Sequence, residues 1–118
     1  MAYKVVRTEQ AVRDLDFIFD HLVESYSALG DAIDIAVERA VHRLRMIDDD
    51  MEALAQVPFQ GTLRPELMVS LRHVTKNNAI FYFHVDENAR IISVLAVFFG
   101  GQDHQRHMLA RLDAHSQK

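Results

Sequence analysis

A chain of 118 residues, 49% of them apolar, has the size of one domain and can bury a core on its own. It contains no cysteine, which excludes a disulfide framework, a thiolate metal site and a cysteine nucleophile. The formal net charge of -4 removes the global pull toward phosphate backbones that supplies most non-specific nucleic-acid affinity, so any nucleic-acid role needs a local basic patch. No run approaches the roughly 20 apolar residues of a membrane-spanning helix. The opening Met1 to Arg7 also lacks the apolar stretch of a secretory signal, so a cytoplasmic location is expected, with no membrane partner.

Tyr3 to Thr8 is rich in aromatic and β-branched residues and reads as a strand, and the period changes near Glu9. From Ala11 to Tyr26 the spacing predicts a helix whose core stripe is Ala11, Leu15, Ile18 and Leu22, flanked by Val12, Phe19, Val23 and Tyr26. Its polar side carries Arg13, Asp14, Asp16, Asp20, His21 and Glu24, with Phe17 as an exposed aromatic among them. A second helix is expected from Gly30-Asp31, capped by Asp31, with a stripe through Ile33, Val37, Ala40, Leu44 and Ile47. The run Asp48-Asp49-Asp50 repels itself, so a bend or restart is expected before Leu54. Pro58 and Gly61 mark a connector. Three apolar-rich runs follow, Met68 to Val74, Ala79 to Val85 and Ile91 to Phe99, read as an antiparallel meander. The last is apolar on both faces and reads as the central strand, its neighbours being the outer ones. After Gly100-Gly101, Asp103 to Leu112 suits a short helix, and residues 113–118 read as a polar tail behind a single domain of residues 1–112.

Little here announces catalysis. The four glycines are scattered apart from Gly100-Gly101, so there is no phosphate-cradling loop and no nucleophile elbow, and no cofactor is expected. His104 and His107 share a helix face with Asp103 before them, but a solvated helix explains them better than a metal site. His73 and His84 read as strand residues, and Tyr82 as a core residue with its hydroxyl at an edge.

The order of strand, helix hairpin and three-stranded meander, with Pro58 and Gly61, Arg64-Pro65-Glu66-Leu67, Leu71-Arg72, Ile80-Phe81-Tyr82, Val94 to Phe98 and Asp103, resembles the ParE/RelE (plasmid stabilisation) toxin superfamily, its ParE branch above all. The resemblance spans Tyr3 to Met108 and implies an α+β fold of that type. It also implies the toxin half of a type II toxin-antitoxin pair, bound in a hetero-oligomer by the flexible C-terminal segment of a ParD-like antitoxin. DNA is then contacted only through the antitoxin.

ParE-like members poison DNA gyrase without chemistry of their own, whereas RelE-like members cut messenger RNA on the ribosome. Asn78-Ala79 and Phe99-Gly100-Gly101 stand where a nuclease carries basic residues, so the gyrase branch is the first expectation, with no catalytic residues. The nuclease is the alternative, and it requires a basic concavity around Arg64, Arg72 and Lys76. Gly101-Gln102 replace arginines of many ParE members, which leaves a non-toxic antitoxin-binding member as a third reading. Candidate target contacts are Arg64, Arg72, Phe99, Asp103 and Arg106. Candidate antitoxin contacts are Phe17, Ile35 and Met46, the apolar residues on otherwise polar helix faces.

Overall fold

The computed structural model describes residues 2–100 and 103–116. The chain runs β1 (Lys4–Arg7), α1 (Glu9–Ala28), α2 (Ile33–Glu52), a 3₁₀ turn (Ala53–Gln56), β2 (Thr62–Leu63), β3 (Leu71–Lys76), β4 (Ala79–Asp86), β5 (Ile91–Phe99) and α3 (His104–Ser116). The strands form one sheet in the order β1-β5-β4-β3-β2, in which β1 joins β5 in parallel and every other pair is antiparallel. This is the α+β arrangement expected. It corrects one point, because β5 lies between β1 and β4, and β4, not β5, is the middle strand.

The strand-to-helix switch is made by Thr8. Its hydroxyl accepts the Ala11 N–H at 3.2 Å as an N-cap and donates to the Val94 carbonyl at 3.1 Å, so one side chain starts α1 and ties it to β5. The stripe of α1 is as read, with Ala11, Leu15, Ile18 and Leu22 all buried.

The α2 stripe is rotated. Ile33 is 65% exposed and Val37 is 37% exposed, while Ala36, Ala40, Ile47 and Met51 are buried. α2 packs chiefly on α1, and its small alanines Ala36 and Ala40 have no exposed surface, while Ile47 and Met51 of its later turns join the core cluster. Asp31 does not cap this helix. Ala32 is the N-cap and makes no side-chain cap bond, and Asp31 pairs instead with Arg39. Nor does the aspartate run break α2, because Asp48 takes an ion pair from Arg7 at 3.0 Å and Asp50 accepts from Asn77 at 2.8 Å.

The helix hairpin covers the inner sheet face, where Phe81, Phe83, Val85, Ile92, Val94 and Val97 pack on the helices. Burying each of the large side chains contributes about 1.5–3 kcal/mol. On the outer face Leu71, Ile80, Tyr82, Ala96 and Phe98 are covered by Met108 of α3. The terminal helix is therefore packed rather than solvated, and it continues past Leu112 to Ser116 because Asp113-Ala114-His115 contains no breaker.

A bulge opposite Tyr82 and Phe83, which pair with Ala96 and Val94, leaves Leu95 unpaired. Leu95 and Ala96 consequently both serve the outer cluster. Asn77 and Asn78 have φ of 51° and 68° and form the two-residue link of the β3–β4 hairpin. Such a turn needs positive φ at both positions, which asparagine tolerates, so Asn78 answers to turn geometry.

Candidate functional site

Two clusters stand out, one on the outer sheet face and one between α1 and α3. The outer cluster begins with the β3–β4 register, which sets His73 opposite Tyr82. Their rings lie 5.2 Å apart, and His104, the first residue of α3, comes down beside both, 5.2 Å from the His73 ring. The Tyr82 hydroxyl and His104 Nδ1 are 2.8 Å apart. Tyr82 has no exposed surface, and the His73 Nδ1 is buried with no hydrogen-bond partner.

Arg64 enters from the β2–β3 connector, its Nε 3.3 Å from the Glu66 carboxylate but not aligned for a hydrogen bond. Burial holds His73 below the usual imidazole range, the neighbouring His104 and Arg64 push the same way, and Glu66 opposes them. His104 is also held low by burial, against an opposing Asp103. Burial raises the Tyr82 phenol.

The second cluster centres on Asp14, which the sequence places on the polar side of α1 and the fold buries. β1 stops opposite Val94, so β5 beyond it has no strand on that side, and Asp14 Oδ2 accepts the Val97 N–H at 2.9 Å. Arg111 of α3 grips the same carboxylate with two bonds of 2.8 and 2.7 Å. Above this pair a cleft of about 560 Å³ opens between α1 and α3, walled by Phe17, Phe98, Phe99 and His107 and rimmed by Arg13 and His21.

The residues singled out from the sequence are not brought together. Arg64 and Asp103 border the histidine cluster. Arg72 lies elsewhere, donating to the Phe59 carbonyl at 2.8 Å and resting over that ring. Phe99 lines the α1–α3 cleft, and Asp103 Oδ1 accepts the Arg106 N–H at 3.3 Å at the start of α3. Arg106 is exposed. Of the antitoxin candidates, Phe17 is 71% exposed at the cleft and Ile35 is 44% exposed. Met46 belongs to a different depression, lined by Tyr26, Arg39, His42, Arg43 and Arg45. Gly101 and Gln102 lie outside the described residues.

His73, first read as a lone strand histidine, has Tyr82 and His104 as close neighbours. The signal available was the cross-strand pairing of Leu71–Lys76 with Ala79–Asp86 through a two-residue turn. Among the described residues no three His, Cys, Asp or Glu side chains converge as metal ligands, and no helix is long and apolar enough to cross a membrane.

No protein-family model matches the chain, and no curated protein matches it. Solved structures do. A chain of the chromosomal ParDE toxin-antitoxin system from P. aeruginosa is similar with a TM-score of 0.63 and 26% identity, over 84% of this chain and 97% of that one. The RelBE2 toxin-antitoxin complex from Mycobacterium tuberculosis contains a chain similar with a TM-score of 0.55 and 14% identity, over 85% of this chain and 100% of that one, a likeness of fold alone. Strand, helix hairpin, meander and terminal helix thus define a toxin fold. The chain has the fold of the ParE/RelE-type toxins.

Proposed function

We propose that this chain is a toxin that acts by binding a protein, DNA gyrase, without chemistry of its own, and that a ParD-like antitoxin holds it in check. The observation carrying this reading is the position of α3. It lies across the outer sheet face, Tyr82 beneath it has no exposed surface, and Arg64 beside it is paired with Glu66. Arg64 sits at the outer cluster and Arg72 donates to the Phe59 carbonyl, so these two do not converge on one basic patch, which favours the gyrase reading. The higher identity to the ParDE chain, 26% against 14%, points the same way.

The test is a supercoiling and cleavage assay with the purified protein and gyrase, with and without saturating antitoxin. Trapped DNA breaks that antitoxin prevents are the expected result. An unaffected gyrase in the presence of folded protein overturns the reading. We assign the antitoxin contacts to Phe17, Ile35 and Met46, an extended segment being needed to reach both Phe17 at the α1–α3 cleft and Met46 at the second depression. An exposed aromatic at the mouth of a cleft that also holds arginines is the composition of a binding hot spot, so Phe17→Ala should weaken antitoxin binding about tenfold or more with little loss of stability. Target contacts are assigned to Arg64, Arg72, Phe99, Asp103 and Arg106. The toxin itself touches DNA only through the antitoxin.

One observation favours ribosome-dependent RNA cleavage as a second reading. His73, Tyr82 and His104 with Arg64 supply general acid–base groups and a cation within one cluster. On that reading His104→Gln and Tyr82→Phe abolish transcript cleavage in expressing cells, and on the gyrase reading there is no cleavage to lose.

A further inference from the structure

The histidine cluster sits at the amino-terminal end of α3 and is used by no step of the gyrase reading. His104 is the first residue of α3, and its ring is the polar contact that fixes this end of the helix to the sheet, through Tyr82 at 2.8 Å. At the other end Arg111 is fixed to Asp14. Between them Met108 packs on the outer core. The two ends differ in one respect. One contact is made by a guanidinium and a carboxylate, the other by an imidazole, a group that changes charge near physiological pH.

We propose that the contact among His73, Tyr82 and His104 is a pH-sensitive latch that releases the amino-terminal end of α3 from the outer sheet face on acidification.

The charges around the latch decide its direction. The connector contributes Arg64, which disfavours a second positive charge, and Glu66, which favours one. The segment before α3 contributes Asp103, which favours protonation of His104. β3 and β4 contribute only His73 and Tyr82, and β5 contributes the uncharged Phe98, whose ring lies 5.9 Å from that of Tyr82. In the neutral Nε2–H tautomer, Tyr82 donates to His104 Nδ1. Protonating His104 turns Nδ1 into a donor, so the buried hydroxyl must reverse. Protonating His73 as well sets two cations side by side at a 5.2 Å ring separation, next to Arg64. That repulsion is relieved by moving α3, because His73 is anchored in the sheet and His104 is not.

Hydrogen exchange of the full-length protein at pH about 7.5 and about 5 tests this. With intrinsic rates corrected, the amides of the first turns of α3 are expected to exchange at least about tenfold faster at the lower pH while β4 and β5 amides hold. His104→Gln, which keeps an acceptor for Tyr82, and His73→Phe, which keeps the ring, should each remove the pH dependence. Protection of α3 that is equal at both pH values in the wild type, or a pH response in either variant as large as the wild type's, overturns the proposal. The wild-type imidazole signals give a check free of any variant. Linked titrations displaced below 6.5, the usual histidine value, support the latch, and two independent titrations at that value overturn it.

Discussion

Asp14 is the residue whose role differs most from its sequence context. It sits between Arg13 and Asp16 in a run of polar positions, yet only 7% of its side chain is exposed, and it serves α1, β5 and α3 together. Removing it leaves the Val97 N–H and the Arg111 guanidinium without an acceptor. Arg111 is 34% exposed and can turn to water, which limits the loss. Asp14→Ala should therefore cost about 2–3 kcal/mol in urea unfolding, and Asp14→Asn less, because an amide oxygen still accepts from Val97. Glycines give a second prediction. A Cβ at Gly61 falls 2.3 Å from the His73 carbonyl oxygen, at φ +82°, whereas at Gly30 nothing lies within 4 Å although φ is +108°. Gly61→Ala should destabilise by more than about 2 kcal/mol and Gly30→Ala by about 1 kcal/mol. The exposure of Phe17 was legible in the sequence, because it interrupts a polar face. The burial of Asp14 was not, since it depends on where β1 stops and where α3 docks, both set by residues far along the chain.

At the scale of elements, period carried most of the information. The α1 stripe, β4 and β5 fall where the apolar spacing places them, because each repeats its pattern over its full length, whereas the run read from Met68 becomes a strand only at Leu71. α2 misled, since Ile33 and Val37 continue an apolar line on a turn that has little to pack against. Ile33→Lys is accordingly expected to change stability by no more than about 0.5 kcal/mol. Ala40 has no exposed surface, and Ala40→Leu should cost about 1–3 kcal/mol by overpacking. Thermal or urea unfolding of the two variants separates the observed face from the one read along the chain. α3 was legible as a helix but not as a packed one. Its apolar residues are few, and Met108 and Leu112 earn their place only against the outer face of a sheet already formed.

For the whole molecule, the two histidines link stability to pH. Both are held below 6.5, the value they take in the unfolded chain, so acidification protonates the unfolded chain first. Their contribution is complete above that value and is lost as pH falls through the lowered values. The urea midpoint should drop between pH about 7.5 and about 5, and His104→Gln should shrink the drop. The parallel pairing of Lys4–Arg7 with Ile91–Val94 acts on another timescale. β1 can find its partner only after every residue up to Ile91 has been synthesised. The α1–α2 hairpin has only local contacts to make and can form early, but its apolar stripe then waits for a sheet that does not yet exist. A nascent chain that stops short of Ile91 therefore has helices and no completed core, so the finished surface is withheld until β5 has been made.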